Sequence, residues 1–142
     1  DRVRRWDLSV VGVALRKKLD VELTICGRTV HVLNTHLGLW PRERPQQADR
    51  LLELLSLSRR DLTILMGDLN EWHGWGKSLR GLRRVFGSPA APVTFPARWP
   101  VLALDRIWIF PAQALLTVEA HDTPRSRLAS DHLPVKADIY LP

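Results

Sequence analysis

A sheet-dominated fold of the layered α/β or α+β class follows from three features of the chain. Residues 19–33 carry a hairpin pattern. Short strand-like runs recur at 62–66, 107–110, 115–118 and 134–141. Only two stretches, one beginning between Pro41 and Pro45 and one at 79–86, show helical spacing. Strands that outnumber short helices in this way favour layered sheets over a regular doubly wound fold.

Taken in order, residues 9–15 read as an early strand or its remnant. Leu19, Val21, Leu23 and Ile25 then fall on one face, with Asp20, Glu22 and Thr24 on the other. Gly27-Arg28 makes a tight turn into Thr29–Leu33, which completes the hairpin signature. Cys26 reads as a small hydrophobe buried on the strand, because a lone thiol makes neither an internal disulfide nor a thiolate zinc site. Leu37 to Arg44 is a loop. In the helix that follows, Ala48, Leu51, Leu52 and Leu55 make one apolar face. Pro45 is tolerated only in its first turn.

Leu62 to Met66 is a buried strand ended by Gly67. Residues 70–78 are a loop rich in Trp and Gly. Leu79, Leu82, Val85 and Phe86 form the inward face of a second helix. Prolines at 89, 92, 96 and 100 make the next stretch irregular. The remaining strands close one domain over 1–142.

Composition sets limits. With 45% hydrophobic and 25% charged residues the chain is globular rather than disordered. No apolar run approaches the ~18 residues that cross a bilayer. The start has no initiator Met and no leader-like cleavage pattern, which suggests a chain beginning mid-protein. Nothing demands an oxidising compartment. A cytoplasmic location is expected, with peripheral membrane association as the alternative. The net charge of +6 favours anionic partners without choosing among nucleic acid, lipid headgroups and small phosphate esters.

Four polar groups each sit at the end of an apolar strand: Asn34-Thr35-His36, Gly67-Asp68-Leu69-Asn70, Asp105-Arg106 and Ser130-Asp131-His132. Strand ends can aim side chains into a shared cleft. Phosphoester hydrolysis needs a cationic clamp or metal, a base that aligns water, and a proton for the leaving oxygen. Carboxylates, histidines and amides supply that inventory. Singly, each group has a plainer reading. Asn34 would simply end a strand, Gly67–Asn70 would be an ordinary turn, Asp105-Arg106 an ion pair or cap, and Ser130-Asp131 an N-cap-like turn.

Together, and in the order NTHL, GDLNEW, LDRI and SDHLPV, the motifs resemble the endonuclease/exonuclease/phosphatase superfamily over about residues 19–141. Thr94-Phe95-Pro96-Ala97 leading to Leu104-Asp105-Arg106-Ile107 resembles its small bacterial members. The resemblance implies part of a four-layer α/β/β/α sandwich of the deoxyribonuclease-like type. It implies a Mg²⁺- or Mn²⁺-dependent hydrolase whose substrate is a nucleic acid, a phospholipid or an inositol phosphate. His36 matches the histidine that contacts the phosphate or helps protonate the leaving group. Asp68 matches the aspartate that aligns or deprotonates water, and Asn70 the amide beside it. Asp105 matches the carboxylate that orients a histidine, His132 matches that histidine, and Asp131 matches a carboxylate near the metal. Asn34 would support the cleft. Arg42 and Arg44 would meet a phosphate at its rim or simply belong to a solvated helix start. Trp72 and Trp75 would form a substrate-binding lip or pack within their loop, and Trp40 would pack.

One part of the family pattern is not found. An early strand with Asn, followed by a metal-binding Glu, has no counterpart before residue 34; Glu22 comes too late and reads as a surface strand residue. This N-terminal portion would be missing, leaving one sheet face uncovered. A homodimer or a separate N-terminal half would then cover it. The rival expectation is a non-catalytic interaction module with an incomplete metal site.

Overall fold

The computed structural model describes residues 2–7, 17–58, 61–73 and 76–141. A five-stranded sheet runs in the order β1 (Arg2–Asp7), β2 (Lys17–Ile25), β3 (Arg28–His36), β4 (Leu62–Asp68), β5 (Asp105–Phe110). All neighbours are antiparallel except β3 and β4, which are parallel and joined through helix α1 (Arg44–Ser58). Helix α2 (Lys77–Phe86) lies between β4 and β5. A separate two-stranded antiparallel sheet pairs β6 (Leu115–Ala120) with β7 (Val135–Ile139), and the short helix α3 (Ser126–Ala129) precedes β7. No helix among the described residues is long and apolar enough to cross a membrane.

Residues opposed across a ladder share a face, so the register divides the core in two. On one face Leu33, Leu65 and Trp108 pack against Ala48, Leu51 and Leu55 of α1 and Leu79, Leu82 and Phe86 of α2. Phe86 lies parallel-displaced on Trp108, with ring centroids 6.1 Å apart. Full burial of each such leucine contributes roughly 1.5–3 kcal/mol. On the other face Val30, Leu62 and Ile109, with Val32, Ile64 and Ile107, meet Ala114, Leu115, Ile139 and Leu141 of the second sheet's side. Helices, large sheet and small sheet are therefore stacked as three layers, the arrangement expected of part of a four-layer sandwich. The small sheet does not cover the whole inner face: Leu19 and Ile25 are exposed, and Val21 and Met66 are half-buried.

Several local expectations shift. The hairpin turn is Cys26-Gly27, not Gly27-Arg28. Both turn residues have positive φ, 50° and 75°, as a two-residue turn matched to strand twist requires. Cys26 is accordingly exposed at the tip rather than buried on a strand. Gly67 does not end its strand, because β4 continues to Asp68. Its role is close approach: a Cβ there would lie 2.8 Å from the Thr35 carbonyl carbon and closer still to its oxygen. Arg2–Asp7, in which Arg2, Arg4, Arg5 and Asp7 are charged, forms a paired strand that apolar patterning could not reveal. The early strand expected over 9–15 falls outside the described residues, as does Trp75.

Candidate functional site

The sheet register builds the site. Parallel pairing of β3 with β4 sets His36 opposite Asp68, and antiparallel pairing of β4 with β5 sets Asp68 opposite Asp105. Three chemically active side chains thus stand in one row across three adjacent strands, whose spacing is about 4.8 Å. The ladder continues just beyond them. The Leu37 N–H donates to the Asp68 carbonyl at 2.9 Å, and the Leu69 N–H to the Leu104 carbonyl at 3.0 Å. The loop after His36 is pinned to α1 by buried Gln47, whose Oε1 accepts the Gly38 N–H at 2.7 Å.

His132 enters from the loop between α3 and β7. Its Nδ1 is 2.7 Å from Asp105 Oδ2, and its Nε2 is 4.0 Å from Asp68 Oδ2. The same Asp105 oxygen accepts the Thr94 hydroxyl at 2.5 Å. The Phe95 ring lies 4.8 Å from the imidazole, centroid to centroid. Burial by itself would lower the pKa of His132. The hydrogen bond and charge of Asp105, aided by Asp68 and Asp131, outweigh it and raise the pKa above the ordinary histidine value. The imidazole is thereby favoured as a cationic donor.

On the other side of Asp68, Asn70 ties the row together. Its backbone N–H donates to Asp68 Oδ1 at 2.8 Å, and its Nδ2 donates to the Leu37 carbonyl at 2.9 Å. The same amide nitrogen is 3.1 Å from His36 Nε2, which makes that ring nitrogen an acceptor in the assigned amide orientation. Asn70 achieves this with φ of 49°, a conformation asparagine adopts more readily than most residues. Asp68 Oδ2 is left between the histidines, 3.6 Å from His36 Nε2.

His36, Asp68, Asn70, Asp105 and His132 are therefore brought together. Asn34 is close by, lining a groove of about 360 Å³ with Met66, Asp105 and His132. Asp131 stands apart from the set of donor atoms of Asp68, Asp105 and His132, which lie within 4.8 Å of one another. It is exposed, and its Oδ1 accepts the Ser130 hydroxyl at 3.3 Å. Arg42 is exposed on the approach to α1. Trp72 is exposed at the edge of a cleft of about 490 Å³ that Leu39, Pro41 and Glu71 also line. Trp40, expected to pack, is 71% exposed.

Sequence reasoning gave no role to Thr94, Phe95 or Glu71. Thr94 and Phe95 stood within the TFPA motif and Glu71 within GDLNEW, so their signal was present without an assignment. Glu71 is buried, 2.5 Å from the Ser78 hydroxyl and 3.6 Å from Arg44 Nη2. Arg44, expected at the cleft rim or on a solvated helix start, is instead buried, and it donates to the Leu39 carbonyl at 2.6 Å. The pair braces the two loops that follow His36 and Asp68.

The sequence profile of the endonuclease/exonuclease/phosphatase family matches residues 3–132. The chain belongs to this family. Its members hydrolyse phosphoester bonds. YbhP of Escherichia coli (strain K12) is 34% identical over 146 residues, which cover 95% of this chain and 56% of that protein. The chain thus spans about half the length of the curated relatives it matches. Solved structures share the fold. A family member from Bacteroides vulgatus aligns with TM-score 0.80 at 17% identity, over 99% of this chain and 65% of that one. The mannosyl-6-phosphatase Bt3783 of Bacteroides thetaiotaomicron gives 0.79 at 18% identity, over 99% and 66%. A Staphylococcus aureus beta toxin mutant with bound magnesium ions gives 0.67 at 18% identity, over 87% and 57%.

Proposed function

We propose that these residues form the catalytic C-terminal portion of a divalent-metal-dependent phosphoester hydrolase. The observation that carries this reading is the row His36–Asp68–Asp105 in strand register, with His132 held against two of its three members. Asp68, fixed by the Asn70 N–H, aligns a water for attack on phosphorus. His132, whose cationic form Asp105 favours, donates to a phosphoryl oxygen. His36 contacts the phosphate or protonates the leaving oxygen as its bond to phosphorus breaks. Asn34, Arg42 and Trp72 would contact more distant parts of the substrate.

The donor set suits Mg²⁺ or Mn²⁺ only in part. Hard cations prefer oxygen ligands. Asp105 Oδ2 already accepts two hydrogen bonds, and His132, favoured as a cation, is a poor ligand. Asp68 would supply an oxygen from this set, whereas Asp131, read from the sequence as a carboxylate near the metal, stands apart from it; the bound ion would offset charge on the phosphate. The half-covered inner face around Leu19 and Met66 supports a further family segment or a second copy packing there and completing the cation's shell.

The test is hydrolysis of bis(p-nitrophenyl) phosphate with and without Mg²⁺ or Mn²⁺. It compares the 142 residues alone with the full natural chain, each beside a His132→Ala control. Turnover by the full chain that chelation and the control both abolish supports the proposal. No turnover on this diester, on DNA or on phospholipid would favour the interaction module.

A further inference from the structure

Large apolar side chains are exposed on several segments that follow or precede the site residues in the chain. Leu39 and Trp40 lie on the loop after His36, and Trp72 on the loop after Asp68. Trp99 and Val101 lie on the 95–102 segment, which places Phe95 against His132 and donates the Ala97 N–H to the Asp131 carbonyl at 2.7 Å. Leu128 lies on α3, just before His132. Arg127 Nη1 donates to the Arg98 carbonyl at 3.4 Å and ties α3 to that segment. Trp40, Trp99 and Leu128 are 71%, 78% and 79% exposed. Leu39 and Trp72 line one cleft, and the segments that carry Trp99, Val101 and Leu128 are bonded to each other and to Asp131 beside His132, so these side chains lie on chain segments that adjoin the site.

Cations alternate with them. Arg42, Arg98 and Arg125 are exposed on the same loops, and none has an ion pair among the described residues. Asp122, the acid nearest in sequence to Arg125, is held in a bidentate pair by Arg127, at 2.6 and 2.7 Å. Tryptophan and leucine interleaved with arginine match the boundary between hydrocarbon and anionic headgroups, where indole is wet at one end and apolar at the other. Single-stranded nucleic acid fits less well. Bases stack on aromatic rings, whereas Leu39, Val101 and Leu128 offer no π face and would gain only from hydrocarbon.

We propose that the mouth of this site docks on an anionic phospholipid surface, so that the phosphoester it meets is presented at a bilayer. Docking stands on the rim alone; the choice of a surface phosphoester as substrate rests on the hydrolase reading above.

The experiment uses the full natural chain and sedimentation with phosphatidylcholine vesicles, with or without 30% phosphatidylglycerol. Binding is expected to the anionic vesicles. Trp40→Ala/Trp99→Ala should weaken it by about tenfold or more. Each of Arg42→Ala and Arg98→Ala should weaken it about fivefold at low salt. The tryptophan variant should still hydrolyse bis(p-nitrophenyl) phosphate as wild type does, because both side chains are exposed and outside the catalytic row. If wild type hydrolyses nothing yet binds vesicles through these residues, the hydrolase reading falls and docking stands. Absence of vesicle binding, binding indifferent to both variants, or tighter binding to a single-stranded oligonucleotide than to vesicles would each overturn the proposal.

Discussion

Replacing Gly67 with Ala tests whether the close approach of β3 and β4 sets the geometry of the proposed catalytic row. The new Cβ would lie 2.8 Å from the Thr35 carbonyl carbon and 3.1 Å from its nitrogen. Non-bonded carbons prefer about 3.5–4.0 Å, so the strands must separate by roughly 1 Å or the peptide must rotate. Neither motion is soft, because the obstacle is backbone in the middle of a ladder. Gly67 also has φ of 139°, closed to most side chains. Overpacking costs about 1–3 kcal/mol and the backbone strain about 1–3 more. The pairs flanking this position hold His36 opposite Asp68. A displacement of about 1 Å there should also cut turnover about a hundredfold in molecules that remain folded. Thermal unfolding gives the first quantity. Turnover of the diester in the full chain, well below the melting temperature, gives the second. An alanine variant with wild-type melting temperature and wild-type rate would refute the argument.

Three further outcomes follow from the same geometry. In an NMR titration the His132 imidazole should lose its proton above the ordinary histidine pKa, and Asp105→Asn should bring that value down. Because the folded-state pKa is raised, the stabilisation from this pair is complete below the unfolded value and disappears as pH rises through the folded one; a variant titrating like wild type would remove Asp105 as the cause. Arg44→Ala leaves Glu71 buried without its cation and should cost about 3 kcal/mol in denaturant unfolding, much of it restored by adding Glu71→Gln. Asn70→Ala removes the amide that reaches His36 and the Leu37 carbonyl but keeps the backbone donor to Asp68. It should lower kcat by about tenfold to a hundredfold with little change in KM, and a change confined to KM would argue that Asn70 acts only in binding.

The sequence by itself determined strands β2 to β7, the hairpin, both amphipathic helices and the four polar groups at strand ends. Each is a local signal: period-two or period-3.6 apolar spacing, or a short polar motif after an apolar run. It also carried the family, through the order of those motifs. Paired strand β1 was invisible because Arg2–Asp7 is mostly charged, and its pairing is made by backbone groups that any residue carries. Cys26 was misplaced because the hairpin turn is chosen by twist and register, which shift the tip by one residue from where Gly27 alone would put it.

Only the tertiary structure decided which of the polar groups meet. His36, Asp68 and Asp105 share a row because of the register of β3, β4 and β5, a property of pairs of strands and not of any one segment. The same packing gave Thr94 its bond to Asp105 and buried Glu71 beside Arg44. It also left Trp40 and Trp99 facing outward. Burial depends on what the rest of the chain covers, so a tryptophan reads alike in sequence whether it packs in a core or stands at the mouth of a site.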